Sequence, residues 1–122
     1  MKKILIIDDE ELIRKMLTKF LEKNGYKVMV THNGDQGIKL FKEIEPDIII
    51  TDLLMPDKEG LETIIEIKKI DPDVKIIAIS GGGKGDPKMY LNLASKLGAN
   101  RTFTKPVDTD VLLVAIEEII FK

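Results

Sequence analysis

The sequence predicts an α/β fold built on a parallel sheet, and three observations carry that prediction. Five short strand-like runs alternate with helix-like ones at intervals of about two dozen residues, the spacing of βα units. Two of the runs, 47–52 and 74–79, are continuous stretches of mostly β-branched apolar residues, as strands buried on both faces are. A third, 3–8, begins Lys3-Ile4-Leu5-Ile6-Ile7 and, like 47–52, ends in a carboxylate.

Bulk properties narrow the class. The chain has 122 residues, 43% hydrophobic and 33% charged, which fits one soluble domain with a real core. Residues 1–122 are therefore expected to form a single domain. The net charge of -2 offers no basic footprint for nucleic acid. There is no cysteine, which excludes disulfide and thiol chemistry and fits a reducing compartment. Met1-Lys2-Lys3 leads into only four apolar residues and then two acids, too short for a signal-peptide core or a membrane span. A cytoplasmic protein that meets no membrane is the expectation.

The elements follow in order. The first strand, 3–8, runs into Asp8-Asp9-Glu10. A helix over 11–24 places Leu12, Ile13, Met16, Leu17, Phe20 and Leu21 on one apolar stripe, and Gly25 suits the left-handed residue past its end. The second strand, 26–31, alternates and is expected at a sheet edge. Asn33-Gly34 signals a turn before a helix over 35–44, whose buried residues are expected to be Ile38, Leu40 and Phe41. The third strand, 47–52, ends at Asp52, followed by the turn-forming Met55-Pro56. A helix over 60–70 carries Leu61, Ile64, Ile65 and Ile67 and stops at Asp71-Pro72-Asp73. The fourth strand, 74–79, ends in Ser80 and Gly81-Gly82-Gly83-Lys84-Gly85. Asp86-Pro87 reads as an N-cap with proline at the first helical position, opening a helix that runs to Leu97 and stops at Gly98. The fifth strand, 101–105, precedes Pro106. Asp108 or Thr109 caps the last helix, which sets Leu112, Ala115, Ile116 and Ile119 on one face and leaves Val111, Val114 and Phe121 off it. No linker or second domain is expected.

Ligands of open α/β sheets bind at the carboxyl ends of the strands. There the predicted strand ends carry Asp8-Asp9, Asp52, Ser80 and Lys105. Two like charges about 4 Å apart repel by roughly 4 kcal/mol at an effective dielectric near 20, so something positive must offset the acids. A hard divalent cation fits, since Mg²⁺ takes one or two carboxylates plus waters. With metal bound, Asp52 can act as a nucleophile toward phosphorus. Phosphoryl transfer then asks for positive charge around the equatorial oxygens, one for the metal, one for Lys105 and one for the Ser80 hydroxyl or a backbone N–H. Glycines 81–83 allow a loop that closes over the group. His32, the sole histidine, has no metal or catalytic constellation around it.

These residues resemble the receiver domain of two-component response regulators. The resemblance rests on Asp8-Asp9, Asp52-Leu53-Leu54-Met55-Pro56, Ser80 and Lys105-Pro106, in the family's order and spacing along the whole chain. It implies a flavodoxin-like (βα)5 three-layer sandwich with sheet order 2-1-3-4-5. It implies Mg²⁺ (or Mn²⁺) at Asp9, Asp52 and the Leu54 carbonyl, with Asp8 acting through water. It implies phosphorylation of Asp52 by a sensor histidine kinase or a small phosphodonor, contacts from Ser80 and Lys105 to the phosphoryl group, and a cis Lys105-Pro106 peptide. A stand-alone, chemotaxis-regulator-like switch is expected, with self-phosphorylation and self-dephosphorylation rather than enzymatic turnover. Its output is a protein target, and a weak homodimer through helix four, strand five and helix five is the sharper reading of Tyr90, Val111, Val114 and Phe121.

Two positions depart from the family's commonest pattern. Thr102 stands three before the lysine, where an aromatic switch residue is usual, so Thr102 is the candidate switch and Phe103 is expected on the other side of the strand. Leu54 stands two after the acceptor, where a polar side chain is usual. It can shield the phosphoryl group but cannot position water. Leu54 also argues against the rival reading of a haloacid dehalogenase-type phosphatase, which needs a second aspartate there. Asp8-Asp9-Glu10 argues against a flavin or nucleotide carrier, because it would repel a phosphate and no phosphate-cradling glycine motif occurs. An unphosphorylated scaffold is the remaining alternative.

Overall fold

The structure is a computed structural model that describes residues 1–54, 60–81 and 87–121. Strands β1 (Lys3–Ile7), β2 (Lys27–Thr31), β3 (Ile48–Asp52), β4 (Ile76–Ser80) and β5 (Arg101–Thr104) alternate with helices α1 (Glu11–Lys23), α2 (Gly34–Ile44), α3 (Gly60–Ile70), α4 (Pro87–Lys96) and α5 (Thr109–Ile120). The strands form one sheet of order β2-β1-β3-β4-β5, every pair parallel. This is the flavodoxin-like order that the resemblance implies.

The period-two alternation of strand side chains splits the core into two layers. Leu5, Ile7, Ile49, Ile76 and Ala78 face α2, α3 and α4, where Phe41, Ile64, Ile67, Leu91 and Ala94 pack against them. Ile4, Ile6, Ile48, Ile50, Ile77 and Ile79 face α1 and α5, meeting Leu17, Leu21, Leu112 and Ile116. β1, β3 and β4 are therefore apolar on both faces, whereas β2, at the sheet edge, is only partly covered.

Local signals set the helix ends. Asn33 Oδ1 accepts from Gln36 N at 2.8 Å, so α2 starts at Gly34 rather than Asp35. Asp108 Oδ1 accepts from Asp110 N and Val111 N at 3.0 and 3.2 Å, which makes it the cap of α5. Gly25 (φ +91°) and Gly98 (φ +112°) follow α1 and α4 in conformations that favour glycine.

Some sequence expectations are corrected. Leu12 is 81% exposed and Met16 41% exposed, although the stripe on α1 included both. The six-residue stripe is broader than the contact α1 makes, and its first turn lies at the end of β1, next to the rim. Ile65 is exposed, because Ile64 and Ile67 take the inward face of α3. Tyr26 and Val74 are buried but precede the ladders of β2 and β4. Val111, Val114 and Phe121 are exposed, in keeping with their place off the main stripe of α5, and Tyr90 is half-buried against the α2–α4 layer. The Met55-Pro56 turn, residues 82–85 of the glycine run and the Asp86 cap lie outside the described residues. Among the described residues, no helix is long and apolar enough to cross a membrane.

Candidate functional site

The parallel order brings the carboxyl ends of the strands to one rim. β1 and β3 are neighbours in the register Ile7↔Thr51, so the residues that follow, Asp8 and Asp52, lie side by side. On the other flank Ser80 pairs with Thr104, and Lys105 N donates to Ser80 O at 2.9 Å. Lys105 thereby returns to the centre of the sheet, and the Lys105–Pro106 peptide is cis.

Two glycines permit this convergence. A side chain at Gly60 would collide with the Asp52 carbonyl and the Leu53 backbone, so only glycine lets α3 begin against the end of β3. Gly81 has φ +153°, and a Cβ there would sit 3.0 Å from Lys105 Cβ and N.

Asp8 and Asp52 are 2% and 3% exposed. Asp8 Oδ1 accepts from Glu10 N at 2.8 Å, and Arg14 donates to the Asp8 carbonyl at 2.8 Å. Asp52 Oδ1 accepts from Leu54 N at a long 3.3 Å. The Lys105 ammonium joins them, at 3.2 Å from Asp8 Oδ2, 3.2 Å from Asp52 Oδ2 and 2.6 Å from Glu10 Oε1.

Burial raises the Asp52 carboxyl to about 6, and the adjacent Asp8 charge adds to that, against the opposing pull of Lys105 and the Leu54 N–H. Burial likewise raises Asp8, opposed by the Glu10 N–H and Lys105. Burial alone would lower Lys105, but its hydrogen bond to Glu10 and the charges of Asp52 and Asp8 outweigh it and raise the pKa. The ammonium therefore stays charged at neutral pH.

A hard cation fits this donor set. The carboxylates of Asp8, Asp9, Glu10 and Asp52 bring ligand oxygens within 4.8 Å of one another, with Asp8 and Asp52 buried and Asp9 and Glu10 exposed. Among the described residues one ammonium faces that group, so negative charge remains in excess there, as an oxygen-liganded divalent ion requires. Leu54, whose carbonyl the resemblance enlists, is half-buried directly after this cluster.

Ser80 is fully buried, and its Oγ makes no hydrogen bond among the described residues. Thr102 pairs with Ala78 on the α4 side of the sheet, whereas Phe103 pairs with Ile79 and packs in the α1/α5 layer. Glu10 enters the sequence reading only as one more acid of the Asp8-Asp9-Glu10 run. It is the N-cap residue of α1 yet makes no side-chain cap hydrogen bond, and its carboxylate goes to Lys105 instead. Its place beside Asp8-Asp9 was the one available signal. His32 is exposed at the end of β2.

Comparisons with known proteins agree with this fold. A family model described as response regulator receiver domain matches residues 4–117. The chain is 36% identical over 119 residues to the chemotaxis protein CheY of Thermotoga maritima, covering 97% of each chain. It is 31% identical over 117 residues to the sporulation initiation phosphotransferase F of Bacillus subtilis, covering 96% of this chain and 92% of that one. A response regulator receiver domain protein from Clostridium thermocellum has a solved structure that matches with a TM-score of 0.91 at 35% identity, covering 99% of this chain and 95% of that one.

Proposed function

This chain belongs to the response regulator receiver family, a family of signalling modules, and from that membership we propose that it is a phosphorylation-dependent switch whose phosphoacceptor is Asp52. One observation carries the reading. Asp52 is buried at the end of β3, lifted to about 6 and still held 3.2 Å from a charged lysine. Such a carboxylate is ionised at neutral pH yet more basic than an ordinary aspartate, as a nucleophile should be.

In the proposed reaction an Asp52 oxygen attacks the phosphorus of a sensor histidine kinase phosphohistidine or of a small acyl phosphate. A P–O bond to Asp52 forms as the bond to the donor breaks. Lys105 turns its ammonium to one phosphoryl oxygen, and the Ser80 hydroxyl, unpartnered among the described residues, donates to another. Asp9, Asp52 and the Leu54 carbonyl would hold Mg²⁺ (or Mn²⁺), with Asp8 acting through water. Bound there, the ion supplies positive charge for the phosphoryl oxygens. Phosphorylation adds about -1.5 to -2 charge at the rim. Movement of Ser80 toward the phosphoryl group frees space next to Thr102, and Thr102 and α4 carry the change outward in place of a swinging ring.

Self-phosphorylation and self-dephosphorylation complete the cycle without making the chain a turnover enzyme. The partners are a cytoplasmic sensor histidine kinase and a downstream protein, with a weak homodimer through α4, β5 and α5 and no nucleic-acid contact. The apolar Leu54 side chain shields the phosphoryl group from water. Intact mass after incubation with acetyl phosphate and Mg²⁺ tests the reading. The wild type gains one hydroxylamine-labile phosphate and Asp52→Asn gains none. Labelling that persists in the variant contradicts the assignment.

A further inference from the structure

The Lys105 ammonium has three carboxylate partners, and they are unlike one another. The contact to Glu10 is 2.6 Å, against 3.2 Å to Asp8 and to Asp52. The Glu10 side chain is 54% exposed, whereas those of Asp8 and Asp52 are 3% exposed. The Glu10 backbone is fixed, since its N–H donates to Asp8 Oδ1 at 2.8 Å and its C=O accepts from Arg14 N at 3.1 Å. Its side chain takes no part in capping α1.

An ammonium has three donors. Here it hydrogen-bonds to Glu10 and Asp52 and lies 3.2 Å from Asp8, so a phosphoryl group on Asp52 can be engaged only by drawing the ammonium away from one of these carboxylates. Asp8 and Asp52 are buried, and losing the lysine would leave their charges desolvated. Glu10 can return to water, which makes it the partner able to let go. We infer that Glu10 is a positioning residue that holds Lys105 in the unphosphorylated protein and competes with the phosphoryl group for it. This inference rests on Asp52 being the acceptor. Glu10 thereby sets how much phosphorylation must supply before the lysine moves, and the exposed ion pair makes that threshold sensitive to salt.

Beryllofluoride, a phosphoryl mimic, tests the competition when titrated at saturating Mg²⁺ and followed by amide chemical shifts. The chains compared are the wild type, Glu10→Gln and Glu10→Asp, both substituted at an exposed position. Glu10→Gln removes the charge. Glu10→Asp keeps the charge but shortens its reach by one methylene. Both are expected to bind beryllofluoride about twofold to fivefold more tightly at low salt, the range of a half-exposed ion pair. The gain should vanish near 1 M salt, where the Debye length is about 3 Å. Tightening in Glu10→Gln alone would mean that a diffuse charge effect is at work, and would overturn the inference. So would equal or weaker binding in both variants, which would make Glu10 a metal ligand or a bystander. A wild type that binds no beryllofluoride would overturn the acceptor reading itself and the inference with it.

Discussion

One aspartate precedes β3 and another ends it, and the two live in opposite conditions. Asp47, just before the strand, is about a third exposed, accepts from Lys3 N at 2.7 Å and lies 4.0 Å from Lys2 Nζ. Its own N–H donates to the Lys3 carbonyl at 2.8 Å, so it stitches β1 to β3 at the amino-terminal rim. Asp52, at the other end, is buried beside a second buried acid, with one long backbone hydrogen bond and a shared lysine. The same side chain is satisfied at one rim and left with unmet demand at the other. In a parallel sheet the second rim is where chemistry is found.

Removing the shared cation should give the largest effect. Lys105→Met leaves Asp8 and Asp52 buried without the counter-charge they share, and is expected to cost about 3 kcal/mol or more at pH 8 without divalent ions. The loss should be smaller at pH 5, where Asp52, with its pKa near 6, is mostly protonated. Urea denaturation at the two pH values decides this, and equal losses would mean that the acids do not depend on the lysine.

Removing the Asp52 charge should act in the opposite direction. The folded-state pKa of about 6 lies above the ordinary 3.8, so the carboxyl favours folding below about pH 4 and that contribution is lost as pH rises through 6. At pH 8 the loss is at most roughly 3 kcal/mol, a figure that already contains the attraction to Lys105. Asp52→Asn should therefore be about 1–2 kcal/mol more stable than wild type at pH 8 without metal. The difference should shrink toward pH 4 and on adding Mg²⁺, which would stabilise the wild type by binding its folded state. A destabilised Asp52→Asn at pH 8 would show that the carboxylate is already satisfied.

Asp47→Asn should give the smaller, ordinary result. It weakens one partly exposed hydrogen bond and should cost about 1 kcal/mol or less. Its effect should not respond to Mg²⁺, and a metal-dependent effect would erase the contrast between the rims. Leu54→Asn should change folding stability least, within about 0.5 kcal/mol. It should shorten the phosphoryl lifetime, read as the rate of mass loss after the donor is removed. An equal or longer lifetime in the variant would mean that the leucine does not shield the group.

The contrast also explains what could be read from the sequence. β1, β3 and β4 were legible because continuous apolar runs suit strands covered on both faces, and the rim was legible because its residues end those runs. The layout of α1 was not. Periodicity says which residues share a stripe, not how much of the stripe a sheet covers, so the exposure of Leu12 and Met16 went unseen. The Glu10–Lys105 pair joins residues 95 apart in sequence, and no local pattern registers such a contact. Ladder ends were misplaced at Tyr26 and Val74, because burial marks the core while hydrogen bonding marks the strand.

The most direct measurement is to find the phosphorylated atom chemically. The chain is phosphorylated with acetyl phosphate and Mg²⁺, the acyl phosphate is reduced with borohydride, and the peptides are mapped by mass. Conversion of Asp52, and of no other carboxylate, to homoserine is expected, abolished when the divalent ion is chelated. Conversion at Asp8 or Asp9, or equal labelling of Asp47, would contradict it.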